Sequence, residues 1–348
     1  MHTRIPIRRQ RSVQICLAIA LLVYPWTALY PIDRGDTVCQ SPQESSPRKL
    51  ASKHLPNPIQ VRNGLICGGL PESLEAFEEL RDLGVQTIIS VDGAKPDLAM
   101  AQRFSMRYVH IPHGYDCIPP DTIAAIAKTL NELPGPIYIH CHHGKHRSPA
   151  AAAAACIAQG TLSQSEAIEV LQLAGTNRAY RGLFDSVANT KPIDPVALSK
   201  LRFDFPATFD VPGLVDAMVE LDKTFAKLDQ LAVANWKPIE GTNSIDAAYQ
   251  AVLLLEHFEE LLRLDDVQNY PGSFRDLLKE SQHAALMIQS MLNPSHPENA
   301  IPMQTSLDTL TPEHRSALGS NWNSLRSACT ACHQQFRDAT KQFRDATK

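Results

Sequence analysis

Two short segments of this chain carry residue types whose spacing could do chemistry. The first is His140-Cys141-His142-His143-Gly144-Lys145-His146-Arg147-Ser148, in which an arginine follows a cysteine by six residues. A cysteine held over inward-pointing backbone N–H groups is stabilised as a thiolate, the form able to attack phosphorus. An arginine closing such a loop can hold two oxygens of a tetrahedral anion and stabilise them in a transition state. Gly144 permits the tight turn the loop needs. His142, His143, Lys145 and His146 would ring the pocket and favour a heavily anionic ligand. The second segment is Cys329-Thr330-Ala331-Cys332-His333. At that spacing two thiols can add to the vinyl groups of a haem while the histidine becomes an axial ligand of its iron.

The first segment needs a strand before it and a helix after it. Pro136–Ile139 is a short apolar run suited to a buried strand. Ser148 is a good N-cap and Pro149 a good first helical residue, after which Ala150–Ala155 propagate a helix. The loop then lies on a helix N-terminus, where free N–H groups and the helix dipole bind anions. Bounded in this way, the Cys-x5-Arg spacing is far more specific than it is alone. Similar apolar runs occur at Leu65–Cys67, Thr87–Val91 and Tyr108–Ile111. Helical patterns fall between or after them, at Ser73–Leu83, Thr122–Leu133, Pro149–Gln159 and Gln164–Leu173. The alternation predicts an α/β domain over 56–190, a parallel sheet flanked by helices.

Beyond a proline-bearing linker at 191–210 the character changes. Amphipathic patterns over Gly213–Ala234, Ile245–Leu264, Ser273–Leu292 and Pro312–Ala339 predict an all-α four-helix bundle over 211–340. Thr311 before Pro312 is a good helix start. The tail at 341–348 repeats the heptad QFRDATK that precedes it.

At the other end, Arg4, Arg8, Arg9 and Arg11 precede the apolar run Ile15–Val23. Residues 1–30 therefore read as a signal peptide or an N-terminal anchor, and 31–55 as a polar linker. The chain is expected to be exported, to the periplasm in a bacterial cell, with or without a membrane tether. With 348 residues, 20% charged and a net charge of -4, it is long enough for two globular domains and gives no reason to expect nucleic acid as a partner. Its eight cysteines do not cluster as a disulfide scaffold, although Cys67 or Cys117 could pair with Cys141 under oxidation.

The first segment resembles the loop of the cysteine phosphatases of the tyrosine and dual-specificity superfamily, His-Cys-x5-Arg-Ser/Thr. Asn63-Gly64-Leu65, Gly69-Leu70-Pro71, Leu80–Val85 and Thr87–Val91 are similar to the opening strand, helix and strand of the small dual-specificity type. The resemblance implies a two-step hydrolysis of phosphomonoesters. Cys141 would take the phosphoryl group, an upstream aspartate would protonate the leaving oxygen, and water would then release phosphate. Ser148 would assist departure of the thiolate, and His140 would tune the cysteine from behind. Asp116 is the better acid, being mid-loop. Asp121 is the rival, but sits where it would cap a helix beginning at Thr122. Substrates would be phosphorylated proteins, at tyrosine or at serine and threonine, or small phosphoesters such as inositol phosphates.

The C-terminal region resembles cytochrome c′ and its low-spin relatives, which implies covalent haem c on Cys329 and Cys332, with His333 on the iron. Met218 lies where the low-spin relatives place a sixth ligand, and also where plain core packing would put an apolar side chain; His257, His283 and Met287 are alternatives. Redox partners and a homodimer through the bundle follow from the same resemblance. Two readings of the whole chain result. In one it is a phosphatase coupled to a haem c domain. In the other it is an exported c-type cytochrome, for electron transfer or redox and gas sensing, whose N-terminal domain binds anions without turnover.

Overall fold

The computed structural model describes residues 46–209, 213–239, 245–293 and 307–338. The leader, the start of the linker, Cys16, Cys39 and the duplicated tail lie outside the described residues.

Six strands form one sheet in the order β1-β2-β3-β6-β4-β5. They are β1 (Arg48–Lys49), β2 (Ile59–Arg62), β3 (Leu65–Gly68), β4 (Thr87–Ser90), β5 (Arg107–His110) and β6 (Ile137–His140). The expected parallel sheet is in fact mixed. β3, β6, β4 and β5 run parallel, but β1 and β2 add an antiparallel edge. The edge was missed because β1 is two charged residues long and β2 follows the Pro56-Asn57-Pro58 stretch, which reads as a break. The sheet thus begins at Arg48, inside the stretch read as linker.

The parallel strands read as continuous apolar runs because both faces of the sheet are covered. Leu65, Cys67, Ile89, Val109, Ile137 and Ile139 point to a core shared with helices α3 (Pro120–Glu132), α4 (Arg147–Ala158), α5 (Gln164–Ala174) and α6 (Arg181–Asn189). Their neighbours Ile66, Ile88, Tyr108 and Tyr138 face a smaller core under α1 (Leu74–Asp82) and α2 (Leu98–Arg103). A short helix α7 (Pro195–Lys200) packs on α3.

Helices α8 (Leu214–Val233), α9 (Ala247–Leu261), α11 (Gly272–Leu292) and α12 (Pro312–Cys332) surround another core, with the single turn α10 (Asp265–Gln268) between α9 and α11. Phe225 of α8 stacks on Trp322 of α12 at 4.6 Å, and the Trp322 indole N–H donates to Asp229 at 3.0 Å. Thr311 caps α12 by accepting from the His314 N–H at 3.2 Å. After Cys332 the chain widens into a π-helical turn, His333–Asp338. Among the described residues no helix is long and apolar enough to cross a membrane.

One helix belongs to both cores. Ala251, Leu254, Phe258 and Leu261 of α9 pack among the helices, whereas Ala248, Val252 and Leu253 pack into the core beneath the sheet.

Candidate active site

Cys141 follows β6 directly and is buried. Its thiol sits 3.3 Å from the Ser148 hydroxyl, which donates to the Gly68 carbonyl at 2.8 Å. With that proton committed to Gly68, Ser148 accepts from the Cys141 S–H. A thiolate would instead recruit the hydroxyl proton, so the pair can follow the cysteine's charge by one bond rotation. Ser148 is not the N-cap the sequence suggested. The helix begins two residues earlier, at Arg147 rather than Pro149, and His146 stands at the cap without a side-chain bond. The serine hydroxyl is spent on tying the loop to β3.

The loop is bolted from several sides. The Asn57 side-chain amide donates to Gly144 O at 3.0 Å and to Ala174 O at 2.9 Å. Thr176 donates to Lys145 O at 2.6 Å, and the Leu70 N–H to His142 O at 2.9 Å. Gly144 lies at φ +71°, in the left-handed region that favours glycine. Behind the loop, Tyr108 shares a 2.6 Å bond with His140 Nε2. Burial pushes His140 down to about 4, so it stays neutral at ordinary pH.

Arg147 is fully buried, with its guanidinium 4.4 Å above the Tyr115 ring. One of its nitrogens meets Asp92 at 3.4 Å and another meets Glu260 of α9 at 2.5 Å. Asp92 is shared with Arg263, at 2.8 Å. Burial alone would raise the Asp92 carboxyl, but Arg147 and Arg263 override it and hold it well below the usual carboxylate range.

Two loop histidines also look toward α9. His146 Nδ1 lies 3.5 Å from Glu256, and its ring packs on Tyr180 at 4.3 Å. Glu256 is buried and accepts from the hydroxyls of Tyr115 and Tyr180. Burial is the largest influence and works against its charge, yet the contacts with His146, Arg147 and Tyr115 together outweigh it and the carboxyl is held at about 2. His143 Nε2 meets Glu259 at 2.8 Å. His142 lies 3.9 Å from Glu72, and burial lowers it to about 4. Lys145 is exposed. The donor atoms of His142, His143 and Glu259 lie within 4.8 Å of one another, a set that could take a metal ion, although here His143 and Glu259 bond directly.

The hydrogen bond His143 donates to Glu259 raises its pKa above the ordinary value. A raised pKa means that the protonated contact is intact below the ordinary histidine value and is lost as pH rises through the raised one. An NMR titration should therefore give His143 a midpoint above about 6.5, returning toward it in Glu259→Gln. A midpoint indifferent to that substitution would place His143 away from α9 in solution.

Asp116 is on the exposed loop after β5, and its carboxylate takes the Tyr249 hydroxyl of α9. Asp121 is not a cap: α3 starts at Pro120, which leaves Asp121 exposed in the first turn. The sequence reading missed Asn57, Asp92, Tyr115, Tyr180 and the α9 row of Tyr249, Glu256, Glu259, Glu260 and Arg263. The available signal was Glu256 itself, an acid embedded in the apolar run AVLLLEHFEELL.

The second constellation ends α12. Cys329 and Cys332 are free thiols one helical turn apart, both packed into the helical core, and burial raises both. His333 follows in the π-turn. Two unpaired thiols on one helical face with an adjoining imidazole are the donor set that haem c needs, so the residues present fit the group. Met218 is half-buried against the same core as Cys329. His257 shares a 3.2 Å contact with Thr224, which engages its Nε2.

Solved structures resemble part of the chain, three of them as follows. The crystal structure of P. aeruginosa TpbA matches at 22% identity and a TM-score of 0.32, covering 40% of this chain and 96% of that one. The core catalytic domain of the PP-IP phosphatase SIW14 from S. cerevisiae, in complex with citrate, matches at 17% identity and 0.35, covering 41% and 89%. Human DUSP28 matches at 17% and 0.31, covering 40% and 97%. No protein-family model and no curated protein matches the chain. Similarity this distant bears on neither substrate nor activity.

Proposed function

We propose that the chain is a cysteine-dependent phosphatase that hydrolyses phosphomonoesters through a phosphocysteine on Cys141. The observation that carries the reading is the buried trio of Cys141, Ser148 and Arg147, joined across one loop on the N-terminus of α4. Cys141 attacks phosphorus as the thiolate. Arg147 and the loop N–H groups hold the equatorial oxygens as charge builds. Asp116, on the loop after β5, protonates the departing oxygen once Tyr249 releases it. In the second step water attacks the phosphocysteine and Ser148 donates its hydrogen bond to the returning thiolate. The basic rim of His143, Lys145 and His146 favours a substrate with more than one anionic group, such as a phosphopeptide or an inositol phosphate.

Cys329, Cys332 and His333 would hold a haem c, which supplies one-electron or gas-binding chemistry when bound. The basic leader with its apolar run supports export, and covalent haem attachment is consistent with that compartment. Redox partners and a dimer through the helices belong to the same proposal.

The test is to mix the full chain, expressed with haem-maturation machinery, with para-nitrophenyl phosphate, quench in acid, and map the peptides by mass. Phosphate on the peptide bearing Cys141 is expected, together with haem on the peptide bearing Cys329 and Cys332. Steady turnover with the phosphate on another residue would sink the mechanism. Absence of both turnover and phosphocysteine, with the haem attached, would favour the cytochrome reading.

A further inference from the structure

We propose that α9 is an internal competitor for the phosphate cradle, its glutamates standing where the anionic groups of a substrate go. The inference rests on the phosphatase reading for its meaning, although its geometry does not depend on turnover. Arg147 has one carboxylate on each side, Asp92 at 3.4 Å and Glu260 at 2.5 Å, with the Tyr115 ring covering a face at 4.4 Å. A phosphate dianion binds a guanidinium through two parallel N–H bonds. Asp92 cannot yield its place, since it lies beneath the loop and is also held by Arg263 at 2.8 Å. Glu260 can, because it arrives from a different element and retains partial exposure.

The neighbouring contacts repeat the pattern. Glu259 takes His143 at 2.8 Å and Glu256 faces His146 at 3.5 Å, so with Glu260 three carboxylates within two turns of one helix occupy three groups of one anion loop. Tyr249, two turns earlier on α9, holds the carboxylate of Asp116. The helix therefore engages both the anion-holding arginine and the candidate proton donor. A dianion entering without displacing it would meet Glu256, Glu259 and Glu260 as like charges in a partly dry pocket. Because the opposite face of α9 packs against α8 and α11, over a core they share with α12, the position of the plug is coupled to the packing of the helical core.

Displacement is read by anion binding rather than by turnover. Inorganic phosphate and tungstate would be titrated calorimetrically into the full chain, wild type and Glu259→Gln/Glu260→Gln. Removing two competing charges should tighten both anions by about 5- to 150-fold. Unchanged affinity in a variant that melts like wild type would overturn the proposal. Should the variant not fold, hydrogen exchange on the wild type decides. Saturating tungstate should speed exchange across 247–261, and unaltered protection there would equally overturn it. The two proposals fail separately. Turnover that needs Cys141 but ignores the glutamate variant, with no gain in anion affinity, leaves the phosphatase without the plug. Tighter anion binding with no turnover leaves the plug without the phosphatase.

Discussion

Cys141→Ser and Arg147→Ala should each reduce turnover of para-nitrophenyl phosphate by about 10³-fold or more, yet only the second should unsettle the fold. The serine loses the nucleophile while replacing one small buried side chain by another beside Ser148. A change of that kind costs about 1 kcal/mol. Arg147 is different. It is 1% exposed and is the counter-charge of both Asp92 and Glu260. Deleting it leaves two carboxylates with Arg263 as their remaining close cation, and breaking a buried pair from one side costs about 3–5 kcal/mol. Arg147→Lys keeps the charge but loses the fork, so it should recover part of the stability and little of the rate. Urea melts and initial rates on the same preparations separate these effects. An Arg147→Ala chain as stable as wild type would mean that α9 simply lifts away when its partner is lost.

Gly144→Ala should be nearly as damaging without touching any charged group. A β-carbon there would stand 2.3 Å from Gly69 N and 2.4 Å from Gly68 C, both backbone atoms, in a residue at φ +71°. The loop must retreat from β3, and Gly68 is the residue whose carbonyl holds the Ser148 hydroxyl. Displacing reacting groups by about 1 Å costs on the order of 100-fold in rate. The backbone strain adds about 1–2 kcal/mol of destabilisation. Gly64→Ala is the control, since it has a similar φ of +76° but nothing within 4 Å of the added carbon. It should melt earlier and turn over normally. Equal loss of rate in both variants would show that general destabilisation, not loop position, is what turnover senses.

The legible parts of the molecule were those whose cause is local. Ile137–His140 could be seen as a strand because both of its faces are buried, and the alanine run announced the helix that follows. The cysteine and arginine were visible because their spacing belongs to a single turn between those elements. What could not be seen depends on contacts between distant segments. Asp92 is an ordinary aspartate after a strand until Arg147 and Arg263 close on it. Glu260 looks like a solvated helix residue, since periodicity reveals one apolar face and is silent about a second surface covered by another layer. Ser148 and Asp121 were misplaced as caps for a related reason. Capping preferences count residues near a helix start, whereas here the start was moved by a loop folding onto β3 and by prolines at 119 and 120.

Helix α4 lies between the sheet, α3, α5 and α6, and every one of its residues is buried. Six consecutive positions, Ala150–Ala155, have no exposed surface at all. By composition the stretch looks like the least informative part of the chain, the kind of low-complexity run through which a lineage drifts freely. Its packing makes it the reverse. Any larger side chain on any side of that helix pushes it off one of its neighbours, and Arg147 moves with it. Substitutions on the exposed faces of α8 or α12 meet solvent, but at 150–155 the packing leaves room for only the smallest side chains.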